Sequence, residues 1–395
     1  MQNTQVLPLI SINDKRIQRV KYDAQKERTA LTIFGYSGQT KLLFSSIQYL
    51  TLFFSEQLGP MNTPVTIIYI GAAPGLSIPT LDEYFHDHIE KWLLYDPEKF
   101  AGNFCKSLCD LAKDQPERFQ IISEFFTEQT AQQLIQDGLN PKKTIIMFDH
   151  RTSDKSPTKM LQDFKLTCDT VKSLRPISTW AKLRFPWPDI KKKMTTVYGL
   201  GGTIYVQPMT AKCSAECRLI SSQDDIEEFC AGKITAYDLR DYEERMFGYN
   251  LEARWKTVIK IGTVEGLDYG NDSQLILHIS REYLQWKLAR APTVDEVRDF
   301  VHECDQNLSE SSGKGLRSFL KTPLALYPDL LPEVRIKEPK MIQEIRSEQH
   351  LQDNKRGKDI SSNANNTKLC AKCKKSFTPK REFYRFCVRC NNRKK

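Results

Sequence analysis

The chain has 395 residues, 40% of them hydrophobic, and carries 58 Lys and Arg against 49 Asp and Glu for a net charge of +9. That length holds two or three domains with a sizeable core. No run reaches the roughly 18 apolar residues of a membrane span, and the Met-Gln-Asn-Thr-Gln start has neither the basic nor the apolar region of a secretion signal.

Residues 1–30 are polar and mixed, and read as an arm lying over the domain that follows. Leu42, Leu43, Ile47, Leu50 and Phe54 recur at helical spacing, so residues 37–58 read as an amphipathic helix. Residues 65–70 are a β-branched apolar run, the pattern of a buried strand, and Gly71-Ala72-Ala73-Pro74-Gly75 is the tight loop at its end. Ligands of open α/β sheets sit outside the carboxyl ends of strands, where a residue without a Cβ lets the backbone press against a cofactor. The spacing is neither G-x-G-x-x-G nor the lysine-bearing phosphate loop, and a plain structural turn is the other reading. A helix near 76–90 follows, then strands at 92–96, 119–123, 144–149, 179–184 and 203–207, with helical segments between most of them. That alternation argues a doubly wound parallel sheet. Residues 222–330 look mainly helical, with a short strand at 255–261, and residues 340–367 read as a polar linker.

Charge is unevenly placed: from Arg335 onward there are 18 Lys and Arg against 6 Asp and Glu, a net of +12 that leaves the body at −3. Such a tail suits a phosphate-rich partner through counterion release, or serves only solubility. Of eleven cysteines, seven are scattered and four fall in the last 26 residues, which suits a reducing compartment better than a disulfide scaffold. Those four form Cys370-x-x-Cys373 and Cys387-x-x-Cys390 with thirteen residues between them. Four thiolates at this spacing satisfy tetrahedral zinc, and a piece so short scarcely folds without metal. Lys372, Lys374, Lys375, Lys380, Arg381, Arg385 and Arg389 interleave with Phe377, Phe383, Tyr384 and Phe386. That mixture suits RNA through phosphate contacts and stacking, with a structural or protein-docking ribbon as the alternative.

The loop after the first strand, together with Tyr69, suits the amino-acid part of S-adenosylmethionine, and Asp96 at the next strand end suits ribose hydroxyls. Phe125 and Phe126, just after the third strand, are placed to flank an adenine ring. Core packing for the two phenylalanines and a helix N-cap for Asp96 are the plainer readings.

Five segments, Gly38-Gln-Thr-Lys-Leu-Leu43, Tyr69-Ile-Gly-Ala-Ala-Pro-Gly75, Lys182-Leu-Arg-Phe-Pro-Trp-Pro-Asp189, Ser214-Ala-Glu-Cys-Arg-Leu219 and Tyr242-Glu-Glu-Arg-Met246, are collinear with motifs of one family. Over roughly residues 20–250 the chain resembles the poxvirus cap-specific mRNA 2′-O-methyltransferases, which also serve as processivity subunits of poly(A) polymerase. The resemblance implies a Rossmann-like, S-adenosylmethionine-dependent methyltransferase fold over residues 31–250, with a helical extension at 251–339, the linker, and a ribbon at 368–395 that the family lacks. It implies a large DNA virus as the source, the host cytoplasm and its viral factory, or the virion, as the location, and capped mRNA and a viral poly(A) polymerase or transcription machinery as partners.

The resemblance further implies a catalytic set of Lys41, Asp149, Lys182 and Glu216. A ribose 2′-hydroxyl is a poor nucleophile unless its proton is held or removed. A lysine desolvated and crowded by a second ammonium has its pKa lowered toward that task, while carboxylates orient it. Lys182 is assigned to the hydroxyl, with the other three steering it. A cap pocket of Tyr22, Trp187, Asp189 and Glu243 is also implied. Two rings sandwich the cationic 7-methylguanine, acids bind its edge, and Trp187 stands where the family has phenylalanine. Arg151 and Arg184 are candidates for RNA phosphates. A noncatalytic RNA-binding processivity factor and a cap-independent RNA 2′-O-methyltransferase are the competing functions.

Overall fold

The computed structural model describes residues 8–23, 25–26, 38–55, 64–97, 104–150, 156–186, 195–211, 213–254, 271–312, 368–369 and 376–377. The chain divides into two compact units, Met1–Leu331 and Pro332–Lys395.

The first unit is built on a seven-stranded sheet. Strands β1 (Val65–Ile70), β2 (Ile89–Tyr95), β3 (Phe119–Ile122), β4 (Thr144–Phe148) and β5 (Ser178–Leu183) run parallel in the order β3-β2-β1-β4-β5. The sequences of β1 and β4, VTIIYI and TIIMF, are almost unbroken apolar runs, as expected of parallel strands with both faces covered. Beyond β5 the sheet departs from the all-parallel expectation. There β8 (Cys217–Ser221) and β7 (Thr203–Tyr205) continue it antiparallel. A parallel pairing needs a crossover, usually helical. Residues 206–216, which join β7 to β8, contain no helix among the described residues.

Helix α1 (Gly38–Phe54) lies where its periodicity predicts, and it packs with α2 (Ile78–Tyr84), α8 (Asn271–Leu288) and α9 (Val294–Ser311). A second group comprises α4 (Glu128–Gln136), α5 (Pro157–Leu174) and α6 (Gln223–Cys230), while α3 (Lys106–Asp114) packs on α2 and β3. The helix expected near 76–90 stops at Tyr84. A 3₁₀ turn at His86–His88 follows, and β2 starts at Ile89, which is buried. Between α6 and α7 (Leu239–Gly248), Thr235–Asp238 forms a strand, β9, paired antiparallel with β6 (Thr196–Gly199), in a region expected to be helical. The strand expected at 255–261 and the linker at 340–367 lie outside the described residues.

The polar N-terminal segment carries three apolar anchors, Leu9, Ile12 and Ile17, all buried. It adds main-chain bonds to the sheet's edge, Ile12 N to Ile204 O at 3.2 Å and Val206 N to Ile10 O at 3.0 Å, then reaches α7 through Val20 N and Glu244 O at 3.0 Å. In the second unit, Lys368–Leu369 pairs antiparallel with Ser376–Phe377.

Candidate active site

Strand β1 marks the point where the sheet's order reverses, with β2 and β3 on one side and β4 and β5 on the other, the usual place for a ligand crevice. The loop leaving β1 is bonded to both neighbours. Gly71 N and Ala72 N donate to Tyr95 O at 2.8 and 3.2 Å, and Asp149 N donates to Ile70 O at 2.9 Å. Ala73 N donates to Asp96 Oδ2 at 3.1 Å, so the strand-end carboxylate of β2 is drawn against the loop. Gly71 sits at φ +81°, and a Cβ there would lie 2.5 Å from His150 N; one on Gly75, at φ +68°, would lie 2.4 Å from Leu108 Cδ2. These glycines are therefore required by the loop's own backbone conformation and packing, as the structural-turn reading has it, whether or not a cofactor also presses against the loop.

Asp96 is buried, and the N-cap position of the next described helix is held by Cys105, not by Asp96. Of the two phenylalanines, Phe126 is core, edge-on to Tyr95 at 4.9 Å, whereas Phe125 is 74% exposed; only Phe125 presents a ring. Tyr69 is buried edge-on against Trp180 at 6.3 Å.

Four residues from four elements meet beside this loop. Lys41 comes from α1, Asp149 from the end of β4, Lys182 from β5, and Glu216 from the residue before β8. Lys182 Nζ donates to Asp149 Oδ1 at 3.1 Å and lies 3.6 Å from Glu216 Oε2, while Lys41 Nζ donates to Glu216 Oε1. A fifth group completes the cluster. Arg218, 1% exposed, stacks on the Trp180 ring at 4.0 Å and bonds Asp149 Oδ1 at 2.8 Å, Gln207 Oε1 at 2.7 Å and Glu216 Oε1 at 3.4 Å. Gln207 Nε2 in turn donates to Glu216 O at 3.1 Å. Sequence reasoning assigns Arg218 no role, although it lies inside the Ser214–Leu219 motif. The available signal is the two-residue period that puts Glu216 and Arg218 on one face of a strand, and the antiparallel register sets Arg218 opposite Lys182.

Burial and charge oppose each other at Asp149, Glu216 and Lys41. Burial pushes the Asp149 carboxyl up, but Arg218 and then Lys182 override it and hold it below the usual carboxylate range. Glu216 is likewise held low against its burial by Lys182, Lys41 and Arg218. The amine driven down is Lys41: burial lowers it more than Glu216 raises it, and Arg218 adds to the lowering.

Tyr22, 37% exposed, packs its ring 5.2 Å from Phe247 on α7. Glu243 stands one helical turn before Phe247, so the arm brings Tyr22 beside that acid. Arg19 fastens the arm there, bonding Glu244 Oε2 at 2.7 Å. Burial and the neighbouring Glu244 raise the Glu243 carboxyl. Arg184 is exposed at the end of β5. Arg151, Trp187, Asp189 and the cysteines at 370, 373, 387 and 390 lie outside the described residues, and those described contain no cluster of metal-ligating side chains.

Residues 6–290 match the family described as "Poly A polymerase regulatory subunit". A cap-specific mRNA (nucleoside-2′-O-)-methyltransferase of Fowlpox virus (strain NVSL) is 30% identical over 235 residues, covering 58% of this chain and 71% of the viral protein. One of Myxoma virus (strain Lausanne) is 27% identical over 274 residues, 67% of this chain and 74% of that protein. Among solved structures, the plantazolicin methyltransferase BamL overlaps 71% of this chain and 81% of its own at 13% identity and a TM-score of 0.24, too loose to bear on the fold.

Proposed function

The chain belongs to the poly(A) polymerase regulatory subunit family, and from that footing we infer that it is a cap-specific mRNA 2′-O-methyltransferase. The observation that carries this reading is the convergence of Lys41, Asp149, Lys182 and Glu216 beside the glycine loop at the sheet's switch point. Two viral relatives bearing that activity in their names support it.

The loop Gly71–Gly75, the buried Asp96 carboxylate and the exposed Phe125 ring suit the amino-acid, ribose and adenine parts of S-adenosylmethionine. When bound, that cofactor supplies an electrophilic methyl group on a sulfonium. The chain's own residues prepare the nucleophile. Lys182 engages the 2′-hydroxyl of the first transcribed nucleotide and receives its proton as the oxygen attacks. Asp149 and Glu216 fix the direction of its Nζ. Arg218 is always charged, so loss of one proton from the Lys41–Lys182 pair leaves two cations facing two carboxylates. The two amines share Glu216. Positioning and fixed charge perform the catalysis.

Cap recognition by Tyr22 and Glu243, completed by Trp187 and Asp189, is supported by the arm's docking on α7. The family's name supports a poly(A) polymerase as a partner. In the second unit, the antiparallel pair at Lys368–Leu369 and Ser376–Phe377 brackets Cys370 and Cys373 as a zinc knuckle requires, and supports structural zinc on the four cysteines.

The test is transfer of labelled methyl to three short RNAs: one with a 7-methylguanosine cap, one with that cap and a 2′-O-methyl on its first nucleotide, and one with a 5′-triphosphate. Label appears only in the first and disappears with Lys182→Ala. Equal labelling of the triphosphate RNA would replace the cap-specific reading with a general RNA methyltransferase, and RNA binding without label would leave a noncatalytic factor.

A further inference from the structure

Glu216 sits at the end of the connection from β7 to β8, residues 206–216, in which no described residue is helical or stranded. Gln207, at the other end, also touches the cluster. A segment without regular secondary structure keeps much of its conformational freedom unless it is held from outside, and here the helical region after α7 holds it at three points. Met209 N donates to Asp272 Oδ2 at 2.9 Å, Arg254 Nη2 donates to Thr210 O at 2.9 Å, and Asn250 Nδ2 donates to Ser214 O at 2.9 Å. Ser214 Oγ then accepts from Glu216 N at 3.2 Å.

The three holding residues form one buried unit. Arg254, 1% exposed, donates from Nε to Asp272 Oδ1 at 2.9 Å and from Nη1 to Asn250 Oδ1 at 3.2 Å. A buried ion pair is a poor way to gain stability, since apolar side chains of the same shape often serve as well. What this pair supplies is direction: a charged fork and a carboxylate aimed at successive backbone groups. Met209, one of the groups held, has φ +53°, a strained setting for a side-chain-bearing residue that persists only where its surroundings over-determine it.

We propose that the Arg254–Asp272 pair, with Asn250, positions the methyl-transfer site, fixing the 206–216 connection so that Glu216 meets Lys41 and Lys182 together. The proposal rests on the methyltransferase reading of that cluster. None of the three touches the cluster's charged atoms, so they are positioning residues.

The test uses the full chain carrying Asp272→Asn, Arg254→Lys or Asn250→Ala. Asp82→Asn is the control. Asp82, on α2, is a similarly buried carboxylate, bonded to Arg118 and Trp92 Nε1, each at 2.7 Å. In folded Asp272→Asn, kcat on capped RNA falls roughly ten- to a hundredfold, the scale of a small misplacement, while KM stays within about twofold, the mark of a loss felt in the transition state. Arg254→Lys, which keeps the charge without the fork, falls less. Lysine labelled with carbon-13 gives a readout independent of turnover: the Lys41 titration moves lower in Asp272→Asn, because the raising influence of Glu216 recedes. Asp82→Asn loses stability yet keeps kcat and the Lys41 midpoint. An unchanged kcat and Lys41 titration in folded Asp272→Asn would overturn the proposal, as would an equal kcat loss in Asp82→Asn. If Asp272→Asn does not fold, the same measurements on Asn250→Ala decide. If the wild type transfers no methyl, the functional reading fails by itself, and the Lys41 titration still decides the positioning.

Discussion

Arg218 is the residue on which both carboxylates depend, because it is the cation that cannot give up its proton. Replacing it with alanine leaves Asp149 and Glu216 buried and short of charge, at a cost of about 3–5 kcal/mol, read as a lowered urea midpoint. The pH dependence has a definite sign. Both carboxyls have folded pKa values below their unfolded ones, so their contribution is present above the unfolded range near ~4 and lost as pH falls through the folded values. The wild type therefore holds this stabilisation into acid that the Arg218→Ala variant does not tolerate. Lys41, driven down by burial, gives the opposite limb: kcat rises with pH through a midpoint below the ordinary lysine value of ~10.4. Glu243 must be ionised to accept from the cap's N–H groups, and its carboxyl is raised. Cap affinity is thus expected to fall in milder acid than an ordinary glutamate would require, and titration calorimetry at stepped pH measures it. Lys41, Lys182 and Glu216 are legible through the motifs that carry them and Asp149 through its place at a strand end, whereas the role of Arg218, although it lies inside a motif, is not. Its role depends on Trp180 from the neighbouring strand and on a cross-strand register, neither of which is local in sequence.

At the scale of elements, the glycine loop lets backbone conformation be separated from crowding. Gly71 and Gly138 both have positive φ, but a Cβ on Gly71 meets His150 backbone at 2.5 Å, while one on Gly138 meets nothing within 4 Å. Gly138→Ala is expected to cost about 1 kcal/mol from the left-handed backbone alone. Gly71→Ala adds a clash that no side-chain rotation relieves, and it parts the loop from Asp149. Denaturant titration should show the larger loss at Gly71, together with lost cofactor binding. The first five strands are readable because β1, β4 and the second half of β2 announce themselves as short apolar runs, while β3 and β5 follow from the alternation of strands with helices. The antiparallel edge is only half readable. β7 is visible, but Cys217-Arg-Leu-Ile-Ser221 mixes polar and apolar residues, and its arginine is buried for the sake of the site rather than the core. The β6–β9 pair escapes notice for a different reason: its strands have four residues each, and β9 buries only Tyr237, so they carry little apolar signal.

Across the whole molecule, function and charge are carried by different parts. The family match ends at residue 290, the first compact unit at Leu331, and the excess of basic residues begins at Arg335. A body of net charge −3 weakly repels a polyanion at long range, while a tail of net +12 attracts it strongly. The two parts are therefore expected to govern different kinetic quantities. Ending the chain after Leu331 should leave kcat on a saturating short capped RNA close to wild type, because every member of the charged cluster lies in the first unit. Affinity should fall most at low salt. The slope of log affinity against log salt should flatten by about 0.7 for each single-strand phosphate that the tail no longer neutralises. Chelating metal from the full chain separates ribbon structure from charge. If the four cysteines hold zinc and the fold of the ribbon guides RNA, chelation weakens binding while the salt slope stays steep, since the lysines and arginines remain. If chelation changes neither, the tail acts as a tethered cation and its cysteines serve another end.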